Sequence, residues 1–194
     1  MKGPMITIEI PANKVWDEKA EMIFDVPATK LVLCHSLISI SKWEAQYRKR
    51  FLKLNKFDEK NGINTPDELL NYVKCMTVNN NINPYVYNCL TDEDIKKIQE
   101  YISAEMTGTT FNTPDSDKPK PNQEAMSSEM MYYYMSAAQI PFSCEEWHLS
   151  RLIALLRIAS IKNDPNPKKQ TNAQITKSNA AINAARRAKF HTKG

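Results

Sequence analysis

The spacing of apolar residues changes once along this chain, and that change constrains the fold more than any other feature. In the first forty residues apolar and polar side chains alternate; beyond them apolar residues recur at helical spacing. Ile6-Thr7-Ile8-Glu9-Ile10 has the period of a half-buried strand, and Pro11 closes it. Met22-Ile23-Phe24-Asp25-Val26, ended by Pro27, reads as a second strand and Leu31-Val32-Leu33 as a third. A small antiparallel sheet is expected over about 1–35.

The helical part opens with Ser39-Ile40-Ser41-Lys42-Trp43-Glu44, predicting a helix to about Arg50. Thr65-Pro66-Asp67-Glu68 is a helix start: Thr65 suits the cap, Pro66 the first helical position, and Glu68 completes a capping box. Leu69, Leu70, Tyr72, Val73 and Met76 follow at helical spacing. Thr91-Asp92-Glu93-Asp94 is another start, with acids where the helix dipole favours them, and Ile95, Ile98, Tyr101 and Ile102 share one face.

Residues 107–122 hold Gly108, Pro114, Pro119 and Pro121 and read as a long exposed loop. A helix is predicted from Ser128 to Gln139, broken by Pro141. A second capping box, Ser143-Cys144-Glu145-Glu146, opens a helix to about Ile161. That last helix is apolar on most sides, which predicts central burial, and the short link predicts an αα-hairpin. Trp147 and Leu152 are expected to be largely buried against the helix that carries Tyr133. Asn163-Asp164-Pro165-Asn166-Pro167 stops the body, and 171–190 reads as a final helix rich in Ala, Lys, Arg and Asn. The expected architecture is therefore mainly α (α+β): a helical body with a small N-terminal antiparallel β-sheet over 1–164, and a basic C-terminal helical tail over 165–194.

Charge is segregated in the same way. Lys168, Lys169, Lys177, Arg186, Arg187, Lys189 and Lys193 are the seven charged residues from Pro165 onward, with no acid among them. In a chain of net charge +4 that leaves −3 for the body. Lys177, Arg186, Arg187 and Lys189 are the candidate partner-binding residues. Docking to an acidic protein surface ranks first, a solvated basic helix second, and nucleic acid third.

Little else points to chemistry. The glycines, Gly3, Gly62, Gly108 and Gly194, fit no phosphate-cradling loop. Cys34, Cys75, Cys89 and Cys144 form no C-x-x-C pair and read as reduced thiols. Cys144 and His148, spaced to share a helix face, are the one suggestive pair for a nucleophile or half a metal site. A buried thiol beside a structural histidine is the preferred reading. Glu145 and Glu146 are explained by the helix start, and Met130, Met131 and Met135 by core packing in preference to an adaptable binding surface. Tyr132, Tyr133 and Tyr134 point about 100° apart on a helix and cannot form one stacking platform; at least one is expected to face the core. No catalytic residue, cofactor or metal is assigned. No apolar stretch reaches the length of a membrane span or a signal peptide, so the host cell cytoplasm is the expected location.

Several segments, taken together, resemble a family of bacteriophage tail assembly chaperones. They are Leu33-Cys34-His35-Ser36-Leu37-Ile38-Ser39-Ile40-Ser41-Lys42-Trp43-Glu44, Tyr72-Val73-Lys74-Cys75-Met76-Thr77, and Met106-Thr107-Gly108-Thr109-Thr110-Phe111. To these add Ile140-Pro141-Phe142-Ser143-Cys144-Glu145-Glu146-Trp147-His148-Leu149 with Arg151 and Leu152, then Asn183-Ala184-Ala185-Arg186-Arg187 and Thr192-Lys193-Gly194. The likeness runs from about residue 5 to the end. It departs from the family pattern at Met131-Tyr132-Tyr133-Tyr134-Met135, where a tryptophan is more usual. It implies a non-catalytic factor that binds the tape measure protein, or another tail protein, of a long-tailed phage and keeps that client soluble while tube subunits polymerise. No catalytic role comes with it, so Trp43, Glu44, Trp147, His148 and Arg151 are expected to be structural. The competing readings are a structural component of the neck or tail connector and a small nucleic-acid-binding protein. Self-association into a homo-oligomer stays open.

Overall fold

The computed structural model describes residues 4–53, 58–109, 111, 126–163, and positions 176, 179, 180, 183, 184 and 187. Its fold is α+β and mainly helical. Four strands come first: β1 (Ile6–Ile10), β2 (Asn13–Asp17), β3 (Met22–Val26) and β4 (Thr29–Leu33). β1 pairs antiparallel with β4, Ile6 opposite Leu33, and β2 with β3, Asn13 opposite Val26. Both pairs share one register, so they form a single ribbon interrupted where Pro11-Ala12 faces Pro27-Ala28. Proline has no N–H to give to the ladder, and the pairing breaks there. Across the break the ribbon also changes its inward face. Ile8 and Ile10 point inward before it, whereas Val15 packs inward beyond it and Trp16 points out. Two-stranded ribbons twist strongly, and the missing hydrogen bonds allow the turn.

Strand β2 was not expected, because Pro11 looked like the end of the strand signal. The three predicted strands are all present, and β4 begins two residues before Leu31.

Helix α1 (Leu37–Tyr47) starts earlier than predicted, capped by Ser36, whose hydroxyl accepts the Ser39 N–H. It ends at Tyr47, short of Arg50, because Arg48 turns into the left-handed region (φ 53°) and donates its N–H to the Glu44 carbonyl. Helix α2 (Pro66–Met76) is capped by Thr65 with Pro66 in the first turn, as the sequence indicates. Glu68 gives its N–H to the Thr65 hydroxyl, and the Thr65 N–H adds only weakly to the hold on its carboxylate. Its carboxylate accepts the Asn64 N–H at 2.7 Å and meets Lys49 Nζ at 2.7 Å.

A 3-10 segment, Pro84–Cys89, leads into α3 (Asp92–Ser103), where Thr91 and Asp94 form a full reciprocal box. Ile98 and Tyr101 of its predicted face are buried. Helix α4 (Ser128–Ala137) follows, capped by Ser127.

The next helix departs from expectation. Phe142–Glu146 is 3-10, Ser143 makes no cap, and α5 (Leu149–Lys162) begins only after His148. Tertiary pairing sets this start. Ser36 and His148 form a β-bridge, and the Leu149 N–H goes to the His35 carbonyl at 2.9 Å. The link from α4 to α5 thus contains structure of its own and is not a tight hairpin turn. Nor is α5 buried all round: Leu149, Leu152 and Ala154 are in the core, whereas Ile153 and Ile161 are exposed.

The core gathers Leu31 and Leu33 of the ribbon with Leu37, Ile40 and Trp43 of α1, Tyr72 and Val73 of α2, Met131 and Met135 of α4, and Leu152 of α5. Each fully buried side chain of this size contributes about 1.5–3 kcal/mol. The expected exposed loop at 107–122 falls mostly outside the described residues.

Candidate protein-binding groove

Glu44 decides where α4 lies. Its carboxylate is buried at the end of α1; Oε2 accepts the Ser128 N–H at 2.8 Å and Oε1 the Phe51 N–H at 2.7 Å. Ser128 opens α4, so a carboxylate satisfies one of the donors every helix leaves free at its start. Met131 and Met135, one helical turn apart, then point into the core, which bears out packing as their role. Tyr133 is 63% exposed, whereas the half-buried Tyr132 packs against the core, so one of the three faces it as expected.

The opposite wall is α5, fixed at its start by His148. The His148 Nδ1 accepts the Ser150 N–H at the head of the helix, and Nε2 lies 3.1 Å from the Tyr101 carbonyl. Between the two helices runs a groove of about 570 Å³, lined mostly by apolar atoms. Met126, Tyr134, Ile153, Leu156 and Ala159 form its surface, with the buried Met131 beneath them. Arg157 lies at its side, its guanidinium stacked 4.2 Å from the Phe111 ring. Sequence reasoning missed the groove, since its residues look like core on both helices. The signal that was available is the excess of apolar residues on α5 over what one buried face needs.

The suggestive chemical pairs come apart. Both ring nitrogens of His148 are engaged by Tyr101 and Ser150, and Cys144 sits buried in the 3-10 segment, off the helix that His148 caps. Burial holds the His148 imidazole below its ordinary range and the Cys75 thiol above its own, the latter against the pull of Lys42. A protonated thiol is a poor nucleophile. Cys34 and Cys75 line a second, more polar cleft of about 410 Å³ with Met5, Lys42 and Glu146. There the Cys34 thiol donates to the Glu146 carbonyl at 3.5 Å. Glu145 hydrogen-bonds Tyr132, whereas Glu146 lines the second cleft. Among the described residues no group of three or more His, Cys, Asp or Glu is arranged to hold a metal ion, and no helix is long and apolar enough to cross a membrane.

The remaining sequence candidates divide. Trp43 is fully buried, its indole N–H donating to the Glu68 carbonyl at 3.1 Å. Trp147, expected in the core, is only partly buried and carries the Arg151 guanidinium over its ring at 4.9 Å. Leu152 is fully buried, as expected. In the basic segment, positions 176, 179, 180, 183, 184 and 187 are helical and exposed, and Arg187 donates through Nε to the Asn183 carbonyl at 3.3 Å. Lys177, Arg186 and Lys189 lie outside the described residues.

No family model, curated protein or solved structure matches this chain.

Proposed function

We propose that this protein is a tail assembly chaperone of a long-tailed bacteriophage, a non-catalytic factor that binds the tape measure protein in the host cytoplasm. The observation that carries the reading is the apolar groove that the described residues leave open between α4 and α5. An amphipathic helix places apolar side chains at i, i+3, i+4 and i+7, and a groove between two helices accepts that stripe. Met126, exposed in the lining, adapts to varied side chains, as a factor serving a long client requires. The resemblance in the SKWE and WHL segments supports the same reading. The basic segment adds attraction for an acidic client, strongest at low salt.

The test is binding of the purified protein to tape measure fragments at two salt concentrations, beside variants Ile153→Asp and a deletion of 171–194. Ile153→Asp is expected to weaken binding at both salts. The deletion is expected to weaken it mainly at low salt, by slowing association. A parent protein that binds no fragment overturns the reading. Mass spectrometry of purified particles separates it from a connector, which would persist there at many copies.

A further inference from the structure

We infer that the tip of the β-ribbon inserts into the α4–α5 groove of a second copy of this chain, so that the protein associates head to tail. Among the described residues nothing covers an apolar patch at the tip. Trp16 stands directly opposite Ile23 on the outer face, 57% and 61% exposed, and Met22 is exposed beside them. Paired aromatic and β-branched residues on a free ribbon face are a ready binding wedge.

The tip is also held in shape before any partner arrives. Its inner face packs on the 3-10 segment, where Phe24 stacks on Tyr85 at 4.4 Å and the Tyr85 hydroxyl donates to Asp17 at 2.7 Å. A wedge already ordered loses little freedom on binding. None of the tip residues lines the groove of its own chain.

Charge selects the occupant. The turn of the ribbon holds Asp17, Glu18 and Glu21 against Lys19. Asp17 also accepts the backbone N–H groups of Lys19 and Ala20, and with Tyr85 these hold its carboxyl below the usual range, so it stays ionised. The groove has Arg157 at its side, and α5 ends in Lys162. An acidic wedge with an apolar face thus matches an apolar groove with a basic end. Wedge and groove are built from different elements, so each copy offers both. The contact is heterologous and grows into rings or filaments. The inference does not rest on the chaperone reading. Where both hold, self-association and client binding compete for one groove.

The experiment is analytical ultracentrifugation of the full chain over a range of concentrations, with three exposed-site variants. Trp16→Ser removes the wedge; Ile153→Asp and, independently, Met126→Asp spoil the groove. The parent should form oligomers that grow with concentration, and each variant should associate at least about tenfold more weakly. Mixing Trp16→Ser with either groove variant should restore one intact contact and stop at a heterodimer. Indole emission should shift to the blue on association of the parent, because Trp16 leaves water, and should not shift in the groove variants. A monomeric parent at all concentrations overturns the inference. So does a wedge variant that associates like the parent, or a mixture of wedge and groove variants that forms no heterodimer. Loss of association in Trp16→Ser with full association in both groove variants overturns it too, because the ribbons would then be pairing with each other.

Discussion

His35 and His148 meet edge to face inside the protein, their ring centroids 5.0 Å apart, at the point where the ribbon, α1 and α5 come together. His35 Nδ1 is 2.5 Å from the Tyr72 hydroxyl, and its backbone N–H donates to Tyr101 Oη. Burial lowers the basicity of both rings, and for His35 the neighbouring His148 lowers it further, to about 3. Both are therefore neutral in the folded protein at neutral pH. The unfolded chain takes up protons on histidine below about pH 6.5, while the fold refuses them.

Stability should accordingly be full above about pH 6.5 and fall as pH drops below it, at up to about 1.4 kcal/mol per pH unit for each histidine. For His35 the fall continues towards about pH 3. Urea unfolding at pH 7 and pH 5 measures it. His148→Asn, which keeps an acceptor at the helix cap but no longer titrates, should show a flatter pH profile. An unfolding midpoint that does not move between the two values would mean the rings are hydrated in solution.

The two tryptophans at the heart of the family resemblance should differ sharply. Trp43 is fully enclosed, with Tyr47 and Phe51 rings 4.7 and 5.4 Å away and its N–H bonded to Glu68. Trp43→Ala should cost about 3–5 kcal/mol, through lost contacts and a residual cavity. Trp147 is partly exposed beneath Arg151, and Trp147→Ala should cost about 1–2 kcal/mol. Equal losses in denaturant unfolding would show that the second ring is more enclosed than its exposure indicates.

The contrast between those residues shows what the sequence made legible. Helix starts at Thr65, Thr91 and Ser127 are local, set by side chains one turn from the N–H groups they cap, and these were readable or nearly so. Strand β2 was not, because Asn13-Lys14-Val15-Trp16-Asp17 has a weak pattern of its own and is ordered by register with β3. The start of α5 was misread for a similar reason. Ser143-Cys144-Glu145-Glu146 has the form of a capping box, but the bridge from Ser36 to His148 delays the helix to Leu149. The groove escaped notice because apolar periodicity tells which residues avoid water, and not whether another helix of the same chain covers them.

Glu44 offers the last prediction, because one carboxylate joins three segments. It stands in the last turn of α1, receives the Phe51 N–H from the chain beyond, and receives the Ser128 N–H that begins α4. Glu44→Ala leaves the buried Ser128 N–H and the part-buried Phe51 N–H without this acceptor, at a cost of about 1–3 kcal/mol for the buried one. Glu44→Gln keeps the shape but has a single acceptor oxygen, so one N–H then faces an NH2 group. Both variants should be destabilised, and the glutamine should not rescue. Amide exchange should quicken at Ser128 and Phe51 more than at Leu152, which is also buried but lies outside this junction. Since α4 is one wall of the groove, both variants should also lose affinity for whatever the groove binds, although Glu44 does not line it. Full protection of the Ser128 amide in Glu44→Ala would show that α4 is held by its methionines alone.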